Sequence, residues 1–355
     1  MDLKQEIRRA AGEAGLPVIG FAPVAALPHE RQLQRWVARG MAADMKFMTE
    51  TAHLRHHPTE LMAGARSAIV AALPHETGAD PGRPGVGLVA RYARGRDYHA
   101  VLQRRLRTLA AALDGLAGRP VRSRVAVDTS PIHERELAAA AGIGFIGKNT
   151  MLIRPGLGSY LVLGVLLVDL ELEPDPRDPV RRCGRCELCI EACPGGALVG
   201  PYEVDARRCI SCLTIERRGA LPAGTRLAPW VFGCDRCQEV CPYNARAGRE
   251  LTADPELSGP AELPLAELLR LRSGAYRRLA RGRALARAPR AALIRNAALV
   301  AGQQLRACRD PALAASLVEA LGELRDHADP GVSAAARRAL AGAGHDHNGA
   351  PAKRR

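Results

Sequence analysis

A chain of 355 residues, 47% of them hydrophobic and with a formal net charge of +14, is long enough for two or three globular domains and points to a polyanionic partner. Its longest apolar run, Tyr160–Val168, is too short to cross a bilayer, and the charged amphipathic N-terminus lacks the core of a signal peptide; a cytoplasmic protein is expected and a membrane protein is not. The basic excess is 47 arginines against four lysines, a coding skew that leaves Lys148 more informative than any single arginine.

In chain order, residues 1–175 alternate helical and extended patterns and read as an α/β domain, with Ala65–Leu73 and Gly87–Tyr92 as strands. Asp97 reads as the N-cap of a helix over Tyr98–Leu113. Asp97-Tyr98-His99 starts like the D-x-H-x-x-G motif whose histidine ligates cobalt in some cobalamin proteins. Leu102 stands where the glycine should be and the context is helical, so His99 is not expected on cobalt. Val125–Asp128 reads as a short strand ending in an acid, beside a helix that begins near Pro131. Asp128 there suits a catalytic acid as well as it suits a helix cap, a role Ser130 could equally fill.

The stretch Gly142–Thr150, GIGFIGKNT, fits G-x-G-x-x-G through Gly142, Gly144 and Gly147, and misses the P-loop pattern at Asn149. Both motifs need a strand running in and a helix running out. Here a helix, Ile132–Ala141, runs in and a strand, Thr150–Ile153, runs out, so no nucleotide site is expected.

Nine of ten cysteines fall between Cys183 and Cys241, a crowding that in a cytosolic chain means metal rather than disulfides. Cys183-x2-Cys186-x2-Cys189-x3-Cys193-Pro194 is the bacterial ferredoxin run, whose fourth cysteine reaches a second cluster. Cys234-x2-Cys237-x3-Cys241-Pro242 is one ligand short, and Cys209 or Cys212 can supply it. The ligand sets then close as Cys183, Cys186, Cys189 and Cys241 for one 4Fe-4S cluster, and Cys193, Cys234, Cys237 and Cys209 for the other. Zinc sites usually pair C-x2-C motifs across a wider gap and fit less well. Cys308 lies apart on a helical pattern and reads as a small buried side chain.

From about residue 260 the pattern is helical. Asp310-Pro311 and Asp329-Pro330 each place an N-cap before a helix-opening proline, and the helices Ala312–Leu324 and Gly331–Leu340 resemble a HEAT-like solenoid pair. Between Arg270 and Arg309 there are 11 arginines and no acid, which reads as a surface for phosphates. Arg290 and Arg295 are its favoured members. Only Tyr276 is aromatic there, so folded RNA read by shape fits better than a stacked single strand. The expected organisation is α+β overall: a catalytic domain over 1–175, a ferredoxin-like domain over 176–250, a helical domain over 260–342 and a disordered tail over 343–355.

Taken together these stretches resemble epoxyqueuosine reductase, a cobalamin-dependent iron–sulfur family that completes the queuosine base of tRNA. The resemblance rests on Tyr92–His99, Val127–Arg135, Gly142–Thr150, the ferredoxin run, Cys209–Glu216, Trp230–Asn244 and Leu293–Ala297, in the family's order. It implies a base-off cobalamin, with GIGFIGKNT as its binding loop and Lys148 and Asn149 on its amide or phosphate groups. It implies further cofactor contacts from Arg55, Tyr92, Tyr98, Ser159 and Ser211, and Asp128 as proton donor with a pKa raised by burial beside the corrin. It also implies a tRNA substrate, an unidentified electron donor and, by default, a monomer. The departure is Cys212, where the family commonly has tyrosine. A reductive dehalogenase, a ferredoxin-type carrier and an RNA-binding protein with structural clusters are the competing readings.

Overall fold

Two eight-residue apolar runs set the first layer. In the computed structural model, which describes residues 2–25, 27–75, 82–177, 183–246 and 253–343, the strands Ser67–Pro74 and Leu161–Val168 are buried at every position. They pair antiparallel along their whole length, from Ser67 opposite Val168 to Pro74 opposite Leu161. Val18–Pro23 adds to the outer edge of the first and Ser123–Ala126 to the outer edge of the second, both antiparallel. Successive side chains alternate between faces. Ala68, Val70, Ala72, Leu163 and Val165 enter a core shared with the helix Glu134–Ala140, whereas Ile69, Ala71, Leu73, Leu166 and Val168 enter one shared with the helices Leu3–Glu13 and Tyr98–Ala117. Both faces are covered, which is why the strands read as continuous apolar runs. The alternating pattern of 1–175 suggested α/β; the antiparallel pairing makes this region α+β, because element spacing along a sequence does not encode strand direction.

Contacts divide the chain into two compact units rather than three consecutive domains. The first is Met1–Gly78, Arg91–Arg207 and Asp235–Gly259; the second is Ala79–Ala90, Arg208–Cys234 and Pro260–Arg355. The expected ferredoxin-like span is therefore shared between them, and hydrogen bonds inside the second unit give the reason. On the helix Arg290–Leu305, the Asn296 amide donates to Thr214 O and Val231 O, both at 2.9 Å. Arg295 donates to the carbonyls of Leu213, Arg217 and Gly219. These bonds tie Arg208–Cys234 to the C-terminal helices. A three-stranded sheet of Trp230–Phe232, Val86–Val89 and Glu262–Pro264 belongs to the same unit. Asp310 caps the helix Pro311–Gly322, and Asp329 accepts from Gly331 N and Val332 N at the start of Pro330–Ala343, as expected. Beyond Ala343 the tail lies outside the described residues. Among the described residues no helix is long and apolar enough to cross a membrane.

Candidate functional site

The chain leaves the strand Ser123–Ala126 and turns sharply at Asp128, whose φ of 49° is left-handed, a conformation that aspartate tolerates better than most residues. The turn is held on two sides. Glu134, opening the next helix, accepts the Asp128 N–H at 2.7 Å. His99, in the first turn of Tyr98–Ala117, places Nε2 3.1 Å from Asp128 Oδ2 and Nδ1 2.6 Å from Asp97 Oδ1. Asp97 also caps that helix by accepting from His99 N, so one residue sets both the helix start and the imidazole. Tyr98 stacks on the His99 ring with centroids 4.0 Å apart, and Tyr92 meets Tyr98 edge-on.

The electrostatics of this group are uneven. Burial disfavours the His99 cation, but the hydrogen bonds to Asp128 and Asp97 outweigh it and push its pKa up to about 9. Burial pushes the Glu134 carboxyl up to about 8, against the hydrogen bond from the Asp128 amide. Burial drives the Tyr98 phenol upward, and the nearby Asp128 carboxylate adds to it. Arg55, 7% exposed, is lowered by burial and steadied by Asp128 and Glu134. Near neutral pH this site thus holds protons on His99 and Glu134, while Asp128 presents a side chain that is 55% exposed. The burial expected around Asp128 is not supplied by the chain alone. The sequence argues against His99 as a cobalt ligand and does not place it beside Asp128; the Asp97 cap is the signal that points to it.

A second group lies in the same unit. Cys183, Cys186, Cys189 and Cys241 line a cavity of about 340 Å3 together with Lys148, Asn149, Ile153 and Tyr243. Burial raises the Cys189 and Cys241 thiols; Cys183 and Cys241 add to the rise at Cys189, and Cys183 and Cys186 to that at Cys241. Four thiolates so crowded repel one another, and a cationic iron core relieves that repulsion, so the residues fit a cluster. Among the described residues no three His, Cys, Asp or Glu side chains are grouped to hold a single ion. Cys193 accepts from Ala197 N at 3.1 Å in the first unit. In the second unit Cys209 caps the helix Ile210–Ile215 and is half-buried, while Cys212 is buried within it. Cys308 is half-buried rather than buried, its Sγ 3.4 Å from Asp310 O.

GIGFIGKNT is a hairpin, Phe145–Ile146 pairing with Leu152–Ile153, and not a strand–loop–helix phosphate cradle. A Cβ on Gly144 would sit 2.3 Å from Ile153 O, so this glycine serves the hairpin's own packing. The loop delivers Lys148 and Asn149 to the cysteines: Lys148 N donates to Cys183 Sγ at 3.4 Å, and Asn149 Nδ2 to Cys237 O at 3.4 Å. Ser159 is 1% exposed, its hydroxyl donating to Gln238 Oε1 and accepting from Asn244 Nδ2. Both bonds reach residues that flank the Cys241-Pro242 segment. Ser211 lies on Ile210–Ile215 of the other unit. Arg295 is 2% exposed with its guanidinium bound to backbone carbonyls, which removes it from the expected phosphate contacts. Arg290, half-buried, donates to Leu271 O.

Two family profiles match the chain: "Epoxyqueuosine reductase QueG, DUF1730" over residues 55–129 and "4Fe-4S double cluster binding domain" over 182–244. The chain is 37% identical to the epoxyqueuosine reductase of Burkholderia pseudomallei over 95% of this chain and 90% of that one. It is 42% identical to that of Pseudomonas aeruginosa over 68% and 69%. Its fold matches an epoxyqueuosine reductase structure from Streptococcus thermophilus with a TM-score of 0.78 at 29% identity, covering 96% of this chain and 99% of that one. It also matches an epoxyqueuosine reductase crystallised with an epoxyqueuosine-modified tRNA stem loop, with a TM-score of 0.77 at 26% identity, covering 96% and 98%.

Proposed function

The chain belongs to the epoxyqueuosine reductase family, and on that premise we propose that it removes the epoxide oxygen of epoxyqueuosine in tRNA, in the cytoplasm, as the last step toward queuosine. Two electrons and two protons enter, both C–O bonds of the epoxide break, and the oxygen leaves as water while the carbons become an alkene. By the cysteine spacing, Cys183, Cys186, Cys189 and Cys241 would hold one 4Fe-4S cluster and Cys193, Cys209, Cys234 and Cys237 the other, and these would supply one-electron chemistry. Cobalamin, when bound, supplies the strongly reducing centre. Arg55, Tyr92 and Tyr98, gathered near Asp128, suit its edge.

The observation that carries the reading is the Asp97–His99–Asp128 chain at the end of a strand, in the unit that also holds the four-thiol cavity. An alkoxide is a poor leaving group, so a proton must reach the oxygen as the bond breaks. Asp128 Oδ2 and His99 Nε2 share one hydrogen bond, and the proton that His99 carries can pass to Asp128 and on to substrate. Asp97 keeps the imidazole turned toward Asp128 and stabilises its cation. Glu134, through the Asp128 amide, fixes the turn.

The tRNA would meet the second unit. With Arg295 withdrawn, the exposed Arg272, Arg277, Arg278 and Arg281, on and beside the helix Ser273–Ala280, are better phosphate contacts than Arg290. Arg270 faces Glu319 and Glu323 and is partly neutralised. The following helices form the HEAT-like part. Anaerobic reconstitution tests the whole reading: about eight iron and one cobalamin per chain, with conversion of epoxyqueuosine-tRNA, are expected. Iron and cobalamin without conversion would sink it.

A further inference from the structure

The Lys148 side chain is 10% exposed, and Nζ lies 3.2 Å from Glu187 Oε1, on a side chain that is 50% exposed. Glu187 stands between two cavity cysteines, Cys186 and Cys189, and the Lys148 amide donates to a third, Cys183. Lys148 also lines the cavity wall. We propose that Lys148 is a positioning residue for the cluster on Cys183, Cys186, Cys189 and Cys241, raising its one-electron reduction potential, and not a contact to the corrin. The inference rests on the ligand assignment under Proposed function.

Reduction adds one negative charge to a site already crowded with thiolates, and a nearby cation favours the reduced form. Glu187 opposes it, but the two charges do not cancel. The ammonium is enclosed and acts through protein, while the carboxylate is half in water and screened. The N–H···S bond from the same residue acts in the same sense, since hydrogen bonds to cluster sulfurs and local charge both set such potentials. The ammonium is a compact point charge, bonded to Glu187 while the amide of the same residue bonds Cys183.

The test is a mediator titration of the reconstituted full-length chain, followed by EPR, with iron and cobalamin content measured alongside. Lys148→Gln should keep its iron and cobalamin and move one of two midpoints to more negative potential. Glu187→Gln should move the same midpoint to more positive potential. Both midpoints unmoved in the two variants, at full iron, would overturn the inference. So would loss of cobalamin binding in Lys148→Gln with unmoved midpoints, which would return the residue to the corrin. Should Lys148→Gln fail to hold iron, Glu187→Gln alone decides by the sign of its shift. A wild-type chain that assembles no cluster refutes the ligand assignment instead.

Discussion

At the scale of single residues, the site is a proton store more than a lone acid. Asp128→Asn keeps the turn and the His99 contact but removes the transferable proton; turnover should fall at least ~100-fold, with tRNA affinity unchanged in a binding assay. Retained turnover would exclude Asp128 as the donor. His99 is cationic below about pH 9, so kcat/KM should fall as pH rises through that value, and His99→Gln should abolish that alkaline limb. Stability follows the same sign. His99, raised above its unfolded value of about 6.5, contributes stability fully present below that pH and lost as pH climbs through about 9. Glu134, raised to about 8, likewise holds a proton that the unfolded chain releases from about pH 4.3 upward. Tm should therefore decline between pH 6.5 and 9, with a shallower slope in His99→Gln.

At the scale of elements, two short pieces do more than their length suggests. The hairpin Phe145–Ile153 carries Lys148 and Asn149 to the cysteines, and Gly144 permits its close packing. Gly144→Ala must push the Ile153 carbonyl away, at a cost of about 1–3 kcal/mol, and should lower iron retained per chain after gel filtration. The helix Arg290–Leu305 anchors the segment that bears Cys209, Cys212 and Cys234 through Arg295 and Asn296. Asn296→Ala leaves two buried carbonyls without their donor and should cost about 1–3 kcal/mol in urea unfolding.

At the scale of the whole molecule, net charge predicts a polyanion but not its address. Coding skew spreads arginine widely, and burial decides which guanidinium groups remain for phosphate. Arg295→Lys should lower Tm and spare tRNA affinity, since its partners are carbonyls of its own chain. Arg272→Ala with Arg278→Ala should weaken tRNA binding and reduce its salt dependence by about one ion per lost contact. Equal salt slopes for wild type and this double variant would move the tRNA surface elsewhere.

The ferredoxin run, the caps at Asp97, Asp310 and Asp329, the buried strands and the helix before and strand after GIGFIGKNT were legible in the sequence, because each depends on residues close in the chain. Asp128 was legible as a strand-end acid. Its partnership with His99 was not, since it joins residues 29 apart, and separations of 76 to 85 residues hid the bonds of Ser159 to Gln238 and Asn244 and those of Arg295 to backbone carbonyls. Strand direction, the sharing of the cysteine-rich span between two units and the bond from the Lys148 amide to Cys183 belong to the same class. Local propensity and spacing set elements and metal chemistry; burial and hydrogen-bond satisfaction, which exist only once the chain has folded, set which polar side chains stay free to act.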